Sequence, residues 1–223
     1  MTRPTLVIAN KNYSSWSMRP WVLLTELGIA FDEVQVKFGD GWAEGIARWS
    51  PTRQVPVLWL DGEPVWDSFA ILETAAERWP DRGVWPADAR ARQVARSACA
   101  EMHAGFRALR GAMPMNIRGS YPGRGMSPEV QRDIDRIAAL WTGCRARFGA
   151  GGDLLFGRFS AADAYYAPVV TRFATYGVAL PAAAQAYCDA VQRLASVVAW
   201  SEAGRAEPDV IAEDEPYAAA AKP

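Results

Sequence analysis

The apolar and polar positions of the first eighty residues alternate between two periods. Thr5-Leu6-Val7-Ile8-Ala9 is a short uninterrupted apolar run, as expected of a strand buried on both faces. After a polar loop, Ser17 is placed to cap a helix over 19–27, with Pro20 near its first turn and Gly28 closing it. From Phe31 to Phe38 the pattern alternates, Val34 and Val36 sharing a face, which predicts a second strand. A short helix over 41–48 follows and ends at Ser50-Pro51. Val55-Pro56-Val57-Leu58-Trp59-Leu60 and Pro64-Val65-Trp66 flank Asp61-Gly62, which predicts a β-hairpin with a type I′ turn. Asp67-Ser68 opens a helix over 69–79, stopped by Pro80. The predicted order is β-α-β-α-β-β-α, a parallel βαβ half completed by a hairpin.

Beyond Asp88 the strand pattern all but vanishes. Segments rich in Ala, Arg and Leu at 89–111, 129–148, 161–176 and 182–195 carry helical spacing. Met113-Pro114, the glycine-rich stretch 119–125 and Leu180-Pro181 punctuate them. The shift predicts two domains: an α/β domain over 1–80, a linker over 81–88 (DRGVWPAD) and an all-α helical domain over 89–223.

Composition narrows the classes of function. A formal net charge of -1 and a pI near 5.9 give no electrostatic reason to expect nucleic acid or an anionic membrane as partner. The apolar run near the N-terminus is broken by Asn10 and Lys11 and is too short for a signal peptide, so a cytoplasmic protein is expected. Three widely spaced cysteines, Cys99, Cys144 and Cys188, suggest neither a disulfide framework nor a zinc site. With His103 as the sole histidine, no metal is expected. Ten tryptophans are many for 223 residues, and several are placed to wall a pocket or interface if the core does not absorb them.

Three places can carry chemistry. Pro56, early in a strand-like run, marks an edge, a bulge or a cis bond; a cis bond would fix the backbone of Val55 for a peptide-like ligand. Asp67-Ser68 at a helix start either caps it or, with the free N–H groups, receives an α-amino acid head group. Ser14, between the first strand and helix, is either a turn former or a hydroxyl that donates to a thiolate and so favours its ionisation. A serine hydrolase is disfavoured, since no G-x-S-x-G occurs and His103 has no evident partner.

Together these motifs resemble the soluble glutathione transferases over nearly the whole chain. Ser14-Ser15-Trp16-Ser17-Met18-Arg19 is similar to the S-x-x-S-x-R signature of the serine-type classes, closest to the zeta class, with Trp16 where that class has cysteine. Ser50-Pro51-Thr52-Arg53-Gln54-Val55-Pro56-Val57-Leu58 is similar to N-P-x-x-K-V-P-x-L, Gln54 replacing lysine. Asp67-Ser68 stands where the family has E/Q-S, and Ser160-Ala161-Ala162-Asp163 looks like its capping S-x-A-D element. The resemblance implies a thioredoxin-like domain joined to a helical one, glutathione as co-substrate and a homodimer. It implies Ser14 as thiol activator (Ser15 its competitor), a cis Pro56, and glutathione contacts from Arg53, Gln54, Val55, Asp67 and Ser68. Trp16, His103, Arg107 and Arg118 are the candidates for a second-substrate pocket. The implied reaction is thiolate attack on a small electrophile, as in detoxification. The alternatives are a glutathione-dependent cis–trans isomerase of a dicarboxylate such as maleylacetoacetate, and a non-catalytic adaptor of the same fold.

Overall fold

The computed structural model describes residues 3–218. Strand β1 (Thr5–Ile8) lies inside a four-stranded sheet of order β2-β1-β3-β4. Strand β2 (Asp32–Gln35) runs parallel to it, while β3 (Val57–Leu60) is antiparallel to both β1 and β4 (Glu63–Val65). The period of two explains why β1 reads as a continuous apolar run. Leu6 and Ile8 face one way, packed in the main core with Met18, Val22, Ile71 and Leu72, and Val7 faces the other with Ile46 and Val57. The hairpin turn forms as predicted, with Asp61 at φ 51° and Gly62 at φ 89°.

Helices α1 (Ser15–Glu26) and α3 (Ser68–Arg78) supply that main-core face; α2 (Trp42–Ala47) covers the other. The start of α1 differs from the sequence expectation. Ser14, not Ser17, is the N-cap, and Pro20 stands a full turn inside. Ser17 is unavailable as a cap because its hydroxyl accepts the Ala9 N–H at 3.1 Å, tying the end of β1 to α1. The second strand is also shorter than the run 31–38.

Six helices follow: α4 (Ala89–Ala104), α5 (Arg107–Ala112), α6 (Pro128–Phe148), α7 (Ala161–Tyr176), α8 (Ala182–Gln192) and α9 (Ala195–Ala206). The single helix expected over 89–111 breaks at Gly105-Phe106, where Phe106 takes φ 55°. A Cβ at Gly105 would stand 2.7 Å from the Glu101 carbonyl oxygen, so this turn requires glycine. Helix α9 was not anticipated. Helix α7 is the axis of this half, buried at every position except Ala174 and packed on α1, α4 and α8. Its capping box forms: Asp163 accepts the Ser160 N–H at 2.9 Å and the Leu155 N–H at 3.1 Å. Two buried guanidinium groups join α7 to α1, with Arg19 Nε donating to the Tyr165 carbonyl at 3.3 Å and Arg172 Nη2 to Ser15 Oγ at 3.2 Å.

Candidate functional site

A cavity of about 990 Å³ opens where α1, the loop before β3 and the start of α3 face α4, α5 and α7. That volume lies at the upper end of the range for small-molecule sites. Both serines of the first loop line it. Ser14 is 4% exposed, and its Oγ donates to Ser17 Oγ at 2.8 Å while accepting the Ser17 N–H at 3.4 Å. At the N-terminus of a twelve-residue helix it sits in positive potential. Ser15 Oγ accepts from Arg172, a buried cation that also donates from Nε to the Met113 carbonyl at 2.8 Å. Burial, then the nearby Arg19 and Arg110, push the Arg172 pKa down to about 9, which leaves it charged at neutral pH.

The opposite rim comes from the loop before β3. Pro56 follows a cis peptide bond and is buried, and Val55 before it lines the cavity with the exposed Arg53 and Gln54. The bend is held by Ser50 Oγ, which accepts the Gln54 N–H at 3.1 Å. Asp67 both caps α3, accepting the Phe69 N–H at 2.7 Å, and opens on the cavity. The Trp66–Asp67 peptide is cis as well. Ser68 Oγ is 3.1 Å from the Tyr165 hydroxyl, which is 2.7 Å from His103 Nδ1; His103 Nε2 returns to Asp67 at 3.5 Å. Asp67, His103, Tyr165 and Ser68 thus form one closed ring of contacts.

Trp16 forms the wall between these two regions. Its ring lies edge-on to His103 at 5.3 Å, with the guanidinium groups of Arg19 at 4.0 Å and Arg110 at 4.5 Å. Arg107 and Arg110 line the same wall, so the helical side of the cavity is strongly cationic; Asp214 is a carboxylate on its edge. The sequence reading therefore placed Ser14, Ser15, Trp16, Arg53, Gln54, Val55, Pro56, Asp67, Ser68, His103 and Arg107 around one cavity. Arg118 is the correction. It turns away from the cavity, donating to Tyr13 Oη at 2.8 Å and pairing with Glu215 at 3.0 Å. The reading missed Arg110, Tyr165, Arg172 and Asp214. One signal was available: an arginine in the middle of the apolar run of α7 cannot be solvated and needs a purpose.

Among the described residues no group of three or more His, Cys, Asp and Glu is arranged to hold a metal. The three cysteines are buried away from the cavity, and burial pushes the thiols of Cys144 and Cys188 up to about 11 and 12. No helix among the described residues is long and apolar enough to cross a membrane.

Two family models match this chain: the N-terminal domain of glutathione S-transferases over residues 13–78 and their C-terminal domain over 127–203. The wall built by the first domain, from Tyr13 to Ser68, lies within the first match, whereas among the described residues on the helical side only Arg172 lies within the second. The chain belongs to the glutathione transferase family. It is similar to a zeta-class glutathione S-transferase of Euphorbia esula, 27% identical over 187 residues, covering 77% of this chain and 79% of that one. Solved structures share the fold. A glutathione transferase homologue from Burkholderia with bound glutathione superposes at a TM-score of 0.70 with 23% identity, over 92% of this chain and all of that one. The tau-class enzyme of mango superposes at 0.68 with 16% identity, over 91% and 96%. In this transferase the first loop brings Trp16 against two arginines and a histidine.

Proposed function

We propose that this glutathione transferase binds glutathione along the Val55–Ser68 rim and ionises its thiol with the hydroxyl of Ser14. The observation that carries the reading is the convergence of Ser14, cis-Pro56, Asp67 and Ser68 on one cavity. The backbone of Val55 presents the strand-like edge that the cysteinyl portion needs. Asp67 faces the amine of the γ-glutamyl end, and Ser68 with the first N–H groups of α3 takes its carboxylate. Gln54 and Arg53 hold the glycine carboxylate. The sulfur then lies at the start of α1, where a Ser14 donor and the helix dipole favour the thiolate over the thiol. Ser14 acts on the nucleophile and is not one itself, so it needs no base.

The change from an α/β to an all-helical pattern supports a division into 1–80, a linker 81–88 and 89–223, and membership of the family is the ground for expecting a homodimer. The second substrate enters against Trp16, His103 and Arg107. A neutral electrophile would be conjugated and glutathione consumed. A second reading is favoured by the cationic wall, where Arg107, Arg110 and Arg172 face the cavity. That wall suits an unsaturated dicarboxylate: the thiolate adds to the double bond to give a delocalised carbanion, the resulting single bond rotates, and the carbanion re-forms the double bond as the thiolate leaves. Counting free thiol during turnover separates the two, because isomerisation leaves glutathione unconsumed.

The test of the activator is kinetic. Ser14→Ala should lower kcat/KM by roughly 10- to 100-fold, the value of one charge-assisted hydrogen bond to the transition state. Ser15→Ala should cost less than about threefold by the same measure, since its loss leaves the Ser14 donor in place. The reverse ranking would transfer the role to Ser15 and its partner Arg172.

A further inference from the structure

The loop that carries Ser14 is fastened by residues from the far end of the chain. The Glu207 carboxylate accepts two successive backbone N–H groups of that loop, Lys11 at 2.8 Å and Asn12 at 3.1 Å. Both donors sit in a turn with no strand or helix partner, so a bidentate carboxylate satisfies what would otherwise be orphan groups. Next along the loop, Tyr13 Oη donates to Glu215 Oε1 and receives hydrogen bonds from Arg118 at 2.8 Å and the Ile211 N–H at 3.3 Å. Arg118 also donates to the Asp209 carbonyl at 3.0 Å, and its backbone N–H donates to Asn12 Oδ1 at 2.8 Å. Burial, then Glu215, push the Tyr13 phenol up to about 12, so it remains a donor. The end of α9 presses on the same loop: a Cβ at Gly204 would stand 3.2 Å from the Asn12 nitrogen and the Lys11 carbonyl. The segment that makes these contacts also carries Asp214 to the edge of the cavity.

We propose that residues 207–217 form a strap that sets the position of the thiol-activating loop, with Glu207 and Arg118 as positioning residues for the serine at the head of α1. The inference rests on the proposed reading of the glutathione site, and it explains why Arg118 is turned from the second-substrate pocket. The strap touches the loop at Lys11, Asn12 and Tyr13, immediately before Ser14, and Ser14 is itself held by its N–H to the Asn10 carbonyl at 2.8 Å. Releasing the strap leaves the Val55–Ser68 rim intact while freeing the loop. The defect should therefore fall on the state of the sulfur more than on capture of the γ-glutamyl end.

The experiment compares the full-length wild type with Arg118→Met, Glu207→Gln, Arg118→Lys and Ser14→Ala. Each is titrated with pH while the absorbance of the thiolate of bound glutathione is followed, and kcat, KM and Tm are measured alongside. Arg118→Met and Glu207→Gln are expected to raise the pH midpoint of the bound thiol and lower kcat at neutral pH about tenfold. The KM for glutathione should change less than about threefold, and Arg118→Lys should restore part of the loss. If Arg118→Met does not fold, Glu207→Gln, which keeps the shape of the side chain, decides alone. The proposal is overturned if both strap variants lower Tm yet titrate and turn over as the wild type does, for the strap is then only structural. A thiol midpoint moved by Ser14→Ala but not by the strap variants would sink the strap and keep the Ser14 reading. The opposite pattern would keep the strap and pass its target to Ser15. A wild type that binds no glutathione would overturn both.

Discussion

Arg172 concentrates the chemistry of the helical half in one side chain. It is 5% exposed, its donors go to two carbonyls and Ser15 Oγ, and among the described residues Asp214 acts on it through space without forming an ion pair. A buried cation hydrogen-bonded only to neutral acceptors attracts an anion that reaches it, because little solvent screens the pair. Arg172→Met, close in volume, should therefore reduce kcat/KM for an anionic electrophile by about tenfold or more, in line with a lost charge-assisted contact. A neutral electrophile of equal reactivity should lose only a few fold, the share due to loosening of Ser15. Equal losses for both would mean that Arg172 serves the fold and not the second substrate. The same residue marks a limit of sequence reading. Ser14, Asp67 and Ser68 were legible because each stands in a short motif at the head of a helix. Arg172 meets Ser15, and Tyr165 meets Ser68, across more than ninety positions, and periodicity assigns both simply to a buried helix face.

Among the elements, α7 depends on its capping box. Asp163 is fully buried, and burial, partly offset by the N–H groups of Leu155 and Ser160, pushes its pKa from 3.8 up to about 6. The folded-state value is raised, so the native chain keeps a proton that the unfolded chain releases over roughly pH 4–6. The group favours folding at low pH and loses that contribution as pH rises through about 6. Asp163→Asn removes the titration. Measured by thermal unfolding from pH 4 to 7, the advantage of wild type over the variant should shrink with rising pH by roughly 2–3 kcal/mol. Parallel curves would contradict the burial of the Asp163 carboxylate in this capping box. The box was readable from Ser160 and Asp163 three residues apart, whereas the ends of α1 and α4 were not. Three serines compete for the cap of α1, and their choice follows from the tertiary bond between Ser17 and Ala9. The break at Gly105 depends on backbone geometry that helical spacing conceals.

On the scale of the molecule, the cavity exists only because α1 docks on α7 and the C-terminal segment folds back over the first loop. Arg19 and Arg172 fix the first of these contacts; Glu207 and Arg118 fix the second. The order of elements along the chain and the helical second half followed from apolar periods and turn residues, since each strand and helix buries its own pattern. The strap did not, because a polar tail carries no period and its partners lie some two hundred residues earlier. The functional claim likewise joins distant parts: a rim that holds a tripeptide and a helix start that ionises its sulfur. The direct measurement is the pH titration of the thiolate absorbance of glutathione bound to the wild type and to Ser14→Ala. The expected result is a bound thiol that ionises well below the roughly 8.5 of a free cysteine thiol, and a Ser14→Ala variant that binds glutathione but loses most of that shift. A bound thiol that titrates equally low in Ser14→Ala would contradict the account.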